Sequence, residues 1–310
     1  MPEGKYIVVV GGVNMDVSGT AFERMRKHDS NPGRVTLSPG GVGRNIAENM
    51  CRLGWTVKMI TAMGEDAYAA AIRQHGEAYG LDFSDSLVLP EARTSTYLCL
   101  NDPDGEIYAA VSDMDIYEQL TPDFLRTKLD VLAGAALVVT DANLTEEALV
   151  WLADNCPVPM IADPVSAAKA GKLKGCLHRL AAIKPNRDEA RVLTGVKIEG
   201  MLGLDRAAQT LLDAGVKNVF VTLNKEGVYY NNGEASGICL TAPAKVVNTT
   251  GCGDAFTAAA AIGCASGMDI HGIARMGQAA AAICAESPSA VSEAMSQAAL
   301  EDVMNMMEDN

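Results

Sequence analysis

Asn248-Thr249-Thr250-Gly251-Cys252-Gly253-Asp254-Ala255-Phe256 sets two glycines around a cysteine, then an aspartate, then a run of small residues. Glycine lets the backbone approach an anion because no Cβ intervenes. The small-residue run reads as a helix that begins at once. A helix start aims its unpaired N–H groups and positive dipole end at one point. A phosphate fits there, with Asp254 as the carboxylate beside it. That layout suits phosphoryl transfer; it equally fits a turn with an Asp N-cap on a buried helix.

Four more clusters have residue types that could do chemistry. Asn14 and Asp16 are two apart, so in an extended segment both point the same way and could grip vicinal hydroxyls of a sugar. Gly40-Gly41-Val42-Gly43-Arg44-Asn45 would let backbone approach a ligand, with Asn45 as a hydrogen-bonding side chain at the start of a helix expected from Ile46. No strand is expected to lead cleanly into it, and it is not a dinucleotide fingerprint. In Lys184-Pro185-Asn186-Arg187-Asp188-Glu189, Asn186 and Glu189 are three apart, on one face of a helical turn. They suit the water shell of Mg²⁺, or alternatively a helix cap. Thr222-Leu223-Asn224-Lys225-Glu226-Gly227 offers hydroxyl, amide and glycine to nucleotide phosphates. Each cluster alone also reads as a polar turn. The chain lacks the G-x-x-x-x-G-K-[ST] phosphate loop, the protein-kinase motif set and H-E-x-x-H. His28, His75, His178 and His271 are scattered and read as surface or packing residues.

The elements that must position these clusters follow from hydrophobic pattern. Short apolar runs at Tyr6–Val10, Val57–Ile60, Ala136–Thr140, Met160–Ala162, Ala181–Ile183 and Val219–Leu223 read as strands buried on both faces. Helix-length segments lie between most of them: Arg44–Leu53, Ala67–Tyr79, Glu146–Asn155, Arg187–Leu193 and Leu204–Ala214. The alternation predicts an α/β fold, a Rossmann-like three-layer parallel sheet with helices on both faces. Asn14, Asn186 and Thr222 then fall at carboxyl ends of strands, where open parallel sheets bind ligands. Residues 16–38 and about 94–112 break the rhythm. They read as strand and hairpin, turning at Asp102-Pro103-Asp104-Gly105, and predict a small β-sheet lid over the strand ends. The whole chain, 1–310, reads as one domain with that lid.

Composition narrows the class. With 310 residues and 48% apolar content the chain can bury a large core. A net charge of −14 argues against nucleic-acid or anionic-membrane partners. The eight cysteines form no C-x-x-C pair and read as reduced, buried residues, and no signal-peptide anatomy precedes Tyr6. The alanine-rich stretches near Ala255–Ala265 and Ala279–Ala285 are too short to span a bilayer. A cytoplasmic protein is expected.

Taken in order, Asn14/Asp16, Gly41–Asn45, Asn186–Glu189, Thr222–Gly227 and Thr249–Asp254 resemble the motifs of the ribokinase-like (PfkB) carbohydrate and nucleoside kinases over nearly the whole chain. The resemblance implies ATP and Mg²⁺. It makes Asp254 the catalytic base and Gly251, Cys252 and Gly253 the anion hole. Asn14, Asp16, Gly41 and Asn45 become the sugar site, and Asn186, Thr222, Asn224 and Gly227 the ATP site, with Glu189 on Mg²⁺ through water. Two positions depart from the family pattern. Asn248 stands where members usually carry Asp, which removes the support for a potassium (K⁺) requirement. Cys252 replaces the central alanine.

Within the family, Ser112–Pro122 and Asp163–Ala170 resemble the stretches of pseudouridine kinases, which implies Ser166 and Lys169 near the substrate and Lys169 as a donor to a uracil carbonyl. Lys169 also reads as an exposed lysine beside a turn. The expected reaction is in-line attack of a nucleoside 5′-hydroxyl on the γ-phosphoryl, Asp254 taking the proton and the helix N-terminus keeping Asp254 ionised. Ribose, adenosine, uridine or a sugar phosphate are alternative substrates, Arg34, Arg44 and Lys169 being available cations for the last. A nucleoside-binding sensor is the non-enzyme alternative. Family members also form lid-to-lid homodimers.

Overall fold

The structure, a computed structural model, describes residues 5–307. The strands of its two larger sheets are, in chain order, β1 (Ile7–Val10), β2 (Asn14–Ala21), β3 (Gly33–Gly40), β4 (Val57–Ile60), β5 (Leu81–Asp82), β6 (Thr96–Asn101), β7 (Ile107–Asp113), β8 (Leu137–Asp141), β9 (Met160–Asp163), β10 (Leu180–Ile183), β11 (Asn218–Thr222), β12 (Val228–Asn231) and β13 (Ser236–Cys239). The helices used below are α1 (Val42–Arg52), α2 (Ala67–Glu77), α3 (Glu146–Asn155), α4 (Arg187–Thr194), α5 (Gly200–Asp213), α6 (Cys252–Ala265) and α7 (Ile270–Ala285).

Nine strands form the main sheet in the order β13-β12-β11-β10-β9-β8-β1-β4-β5. From β11 to β5 all neighbours are parallel; β12 and β13 add an antiparallel edge. That edge lies outside the purely parallel sheet expected from the sequence. Its Val-Tyr-Tyr run and the Asn232-Gly233 turn are a hairpin signal, since aromatic and β-branched residues fill strands and Asn-Gly suits the reversal. Alternation along β1 shows the layering. Ile7 and Val9 pack with Ile46 and Met50 of α1 and Ala258 of α6, whereas Val8 and Val10 pack with Leu149 of α3 and Leu211 of α5. Both faces are covered, which is why these strands read as continuous apolar runs.

The sheet order reverses between β1 and β8, so their carboxyl ends open a crevice at a topological switch point. The smaller sheet, β3-β2-β6-β7, pairs two sequence-distant hairpins through the parallel β2–β6 contact. It is the separate sheet expected from residues 16–38 and 94–112, and it starts at Asn14, immediately beyond β1. One boundary differs. The helix expected from Ile46 begins at Val42, and β3 runs straight into Gly41. Gly41 makes this corner because its φ is +97° and a Cβ there would lie 2.5 Å from the Gly12 carbonyl oxygen. Among the described residues no helix is long and apolar enough to cross a membrane.

Candidate active site

Asp254 lies in the first turn of α6, whose N-cap is Gly251 at φ +83°. A Cβ on Gly251 would sit 1.9 Å from the Ala290 carbonyl oxygen, so only glycine fits. From α1, Asn45 Nδ2 donates to Asp254 Oδ2 at 2.7 Å, joining residues 209 positions apart. Arg44 fixes which way that amide faces by donating to Asn45 Oδ1. The guanidinium is itself pinned by Glu48, one helical turn on, and by the carbonyls of Pro39 (2.8 Å) and Gly40 (3.3 Å). Glu48 is fully buried and also takes Arg52 at 2.9 Å. Arg44 is therefore not an available cation for a sugar phosphate, contrary to expectation; it is a saturated internal strut. In β2, Asn14 Nδ2 donates to Asp16 Oδ1 at 2.6 Å, so the pair does share a face.

Three carboxylates converge at the strand ends. Asp141 and Asp163 are register partners on β8 and β9. Asp141 accepts the Gly12 and Asn143 N–H groups, both at 2.8 Å. Asp163 accepts the Thr257 hydroxyl at 2.8 Å and lies 3.5 Å from Lys184 Nζ. Burial, with repulsion from Asp163 next, pushes Asp254 up to about 7, against the pull of Asn45 and Lys184. Burial likewise pushes Asp141 up to about 6. The helix N-terminus expected to keep Asp254 ionised is outweighed by enclosure beside other acids. Burial works against the Lys184 ammonium, yet Asp163, Glu189 and Asp254 together raise it above its ordinary value. It is the cation of this acidic nest.

Asn186 and Glu189 form a reciprocal capping box at the start of α4: Asn186 Oδ1 accepts the Glu189 N–H (2.9 Å) and Glu189 Oε2 accepts the Asn186 N–H (2.8 Å). Thr222 pairs with Asn186 through an isolated bridge. Asn224 at φ +55° and Gly227 at φ +102° make the following corner. A Cβ on Gly227 would strike the Cys239 carbonyl oxygen at 2.1 Å. The structure thus groups Asn186, Glu189, Thr222, Asn224 and Gly227 on the β10–β11 side, and Asn14, Asp16, Gly41 and Asn45 on the β1 side, with Gly251–Asp254 reaching Asn45.

Ser166 and Lys169 sit beyond β9. The Ser166 N–H donates to the Pro164 carbonyl at 2.7 Å across Val165, whose φ is +65°, a tight three-residue turn. Lys169 Nζ donates to Asn143 Oδ1 at 2.6 Å and lies 3.6 Å from Met114 Sδ. Burial holds its ammonium below the ordinary lysine value. Lys169 is half-buried and partnered, not the exposed lysine of the alternative reading. In the Ser112–Pro122 stretch, buried Tyr117 donates to the Val13 carbonyl next to Asn14. Asp141, Asn143, Asp163, Lys184 and Glu48 are the polar residues to which sequence reading gave no role. Asp141 stands at a strand's carboxyl end, the criterion that singled out Asn14, and Asp163 and Lys184 open segments already singled out.

The pfkB family carbohydrate kinase model matches residues 4–297. Pseudouridine kinase of Escherichia coli (strain K12) is 36% identical over 281 residues, 90% of each chain. Among solved structures, a carbohydrate kinase from Agrobacterium tumefaciens superposes with a TM-score of 0.87 at 31% identity, covering 98% of each chain. Arabidopsis thaliana ribokinase, complexed with ribose and ATP, shares the fold with a TM-score of 0.87 at 22% identity, over 97% of this chain and 98% of that one.

Proposed function

Since this chain belongs to the pfkB family of carbohydrate kinases, phosphotransferases that act on hydroxyl groups, we propose that it phosphorylates the 5′-hydroxyl of pseudouridine with ATP. The observation that carries the reading is the Asn45–Asp254 hydrogen bond, which sets an acid raised to about 7 at the N-terminus of α6. A base near the working pH takes a proton with greatest effect. With Oδ2 engaged by Asn45, we assign the transferred proton to Asp254 Oδ1. Asn14 and Asp16 hold the sugar, and Gly251, Cys252 and Gly253 form the anion hole for the charge that develops during transfer, the Cys252 N–H exchanging its 3.3 Å bond to the Thr249 carbonyl for that charge. Asn186, Thr222, Asn224 and Gly227 take the nucleotide.

The donor chemistry fits Mg²⁺, which prefers oxygen and keeps its waters. Glu189 has one oxygen committed to the capping box, and among the described residues no three His, Cys, Asp or Glu converge on a metal. Glu189, through water, would hold such an ion, which would supply charge neutralisation during transfer. A potassium requirement is disfavoured at Asn248: its amide donates to the Pro288 carbonyl at 3.0 Å, where a carboxylate would be repelled.

The chain acts as one unit, the smaller sheet closing over the β1 end as a lid. Val35, Leu37, Ile107 and Val111 expose an apolar face on that sheet, which supports a homodimer through it. A cytoplasmic site of action accords with eight cysteines that carry no disulfide. The substrate reading favours pseudouridine because Lys169, oriented by Asn143, can donate to one edge of the uracil ring. The test is ATP-dependent phosphorylation of pseudouridine, uridine, adenosine, ribose and fructose 6-phosphate, with and without Mg²⁺ and K⁺. Preference for pseudouridine supports the assignment. Preference for another member of the panel replaces the substrate and leaves Asp254 in place, and ATP binding with no transfer would favour a sensor.

A further inference from the structure

Cys252 opens α6 inside the Gly251–Gly253 turn, and Cys284 is the penultimate residue of α7. The two helices pack antiparallel, with Ile273 against Gly263 and Gly277 against Phe256, which brings these cysteines together at the far end of the pair. There the two thiols are neighbours, each shifting the other's titration, and the Cys252 sulfur lies 3.9 Å from the Asn248 carbonyl. The Cys284 sulfur also lies 3.3 Å from the Ala290 carbonyl and 3.6 Å from that of Thr250, the residue preceding the turn. Cys252 is half-buried, whereas Cys284 is fully enclosed. One cysteine is partly open to solvent and the other is enclosed beside it.

We propose that Cys252 and Cys284 are an oxidisable pair, closed into a disulfide by a peroxide and reopened by a thiol reductant, and that closure disables the phosphate-binding turn. Its effect on turnover rests on the kinase reading; the linkage itself does not. The Cys252 sulfur attacks the O–O bond of hydrogen peroxide, giving the sulfenic acid and one water. The Cys284 sulfur then attacks that sulfur: the S–S bond forms, the S–O bond breaks, and the departing hydroxide leaves as water with the Cys284 proton. Two thiols lose two electrons to one peroxide and two waters result. Helix N-termini favour the reactive thiolate, and the neighbouring Cys284 thiol holds Cys252 below the ordinary thiol value.

Closure matters because a disulfide brings sulfurs to about 2.05 Å, well inside hydrogen-bond contact. The turn cannot yield on the Gly251 side, where the Ala290 carbonyl leaves no room even for a Cβ. The movement then falls on Cys252 and Gly253, two of the residues assigned to hold the transferring phosphoryl. Misplacement by about 1 Å costs on the order of 100-fold in rate.

The test treats the reduced full chain with hydrogen peroxide and reads non-reducing peptide maps, ATP binding by calorimetry, and turnover, before and after dithiothreitol. The expected result is a Cys252–Cys284 link, weaker ATP binding and turnover down about 100-fold, all restored by reductant. Cys284→Ser should turn over normally before oxidation, form no link, and proceed at Cys252 to a sulfinic acid that dithiothreitol does not reverse. No Cys252–Cys284 peptide, a linked form with unchanged ATP binding and turnover, or full reductant-reversible loss in Cys284→Ser would each overturn the proposal. A reduced chain that phosphorylates nothing yet forms the link and loses ATP binding would sink the kinase reading while sustaining the pair.

Discussion

In the body of the molecule, Asn45 cannot turn without breaking its bond to Arg44, and Arg44 cannot move without breaking its buried pair with Glu48. Asp141 and Asp163 are likewise held by backbone amides and by Thr257. The small sheet is built differently. Its polar pair, Asn14 and Asp16, hold each other, and its outer face presents Val35 and Val111 at 67% and 63% exposure. Buried polar networks must be fully satisfied because each lost partner carries a desolvation cost, and that makes them rigid. An exposed apolar sheet face is free to move or to be covered. The contrast separates a half whose polar groups are fixed from a half with an exposed apolar face, the one proposed to act as the lid.

Asp254→Asn cuts deepest into the fixed half. Turnover should fall by about 100- to 10,000-fold, the range for losing a general base, with ligand binding retained in calorimetry; near-normal turnover would remove the base role. In the parent enzyme turnover should climb through about pH 7 as Asp254 loses its proton. Its stability contribution runs the other way. Between the ordinary value near 4 and about 7 the folded chain holds this proton and the unfolded chain does not, so stability falls as pH rises across that window. Thermal melts of Asp254→Asn should lose this part of the slope.

Glu48→Gln strands Arg44 without its buried counter-charge, and breaking such a pair costs about 3–5 kcal/mol. Chemical denaturation measures it; a loss below 1 kcal/mol would mean the strut is dispensable. Lys169→Ala should lower the preference for pseudouridine over uridine by about 10- to 100-fold, the worth of one hydrogen bond from a charged group. Equal losses on both substrates would show that Lys169 does not read the base. Val111→Lys should act least on the fold, within about 0.5 kcal/mol. If the chain dimerises through this face as proposed, sedimentation should nevertheless shift it from dimer toward monomer; an unchanged distribution would move the interface off this face.

The parallel strands and the separate small sheet were legible because both follow from pattern: runs buried on two faces, and hairpins that interrupt them. The β12–β13 edge carries its own signal in the Tyr-rich run and Asn-Gly turn, but it falls outside the βαβ alternation that sets the rest of the sheet. Glu48 and the partner of Asp141 were illegible for another reason. Asp141 acquires its role from the Gly12 amide, 129 residues away, and no local pattern announces such a partner. Arg44 was misread because a charged residue beside a glycine-rich turn suggests a surface, and only tertiary packing buries it.

Val165 holds a β-branched side chain at φ +65°. Such backbone costs of order 1–3 kcal/mol and persists only where the surroundings enforce it. If Ser166 and Lys169 read a nucleobase as proposed, heat resistance and selectivity are set against each other at this position: glycine there would relax the turn and raise the melting point, and the penalty would surface as looser discrimination, since Ser166 and Lys169 inherit their placement from that one peptide.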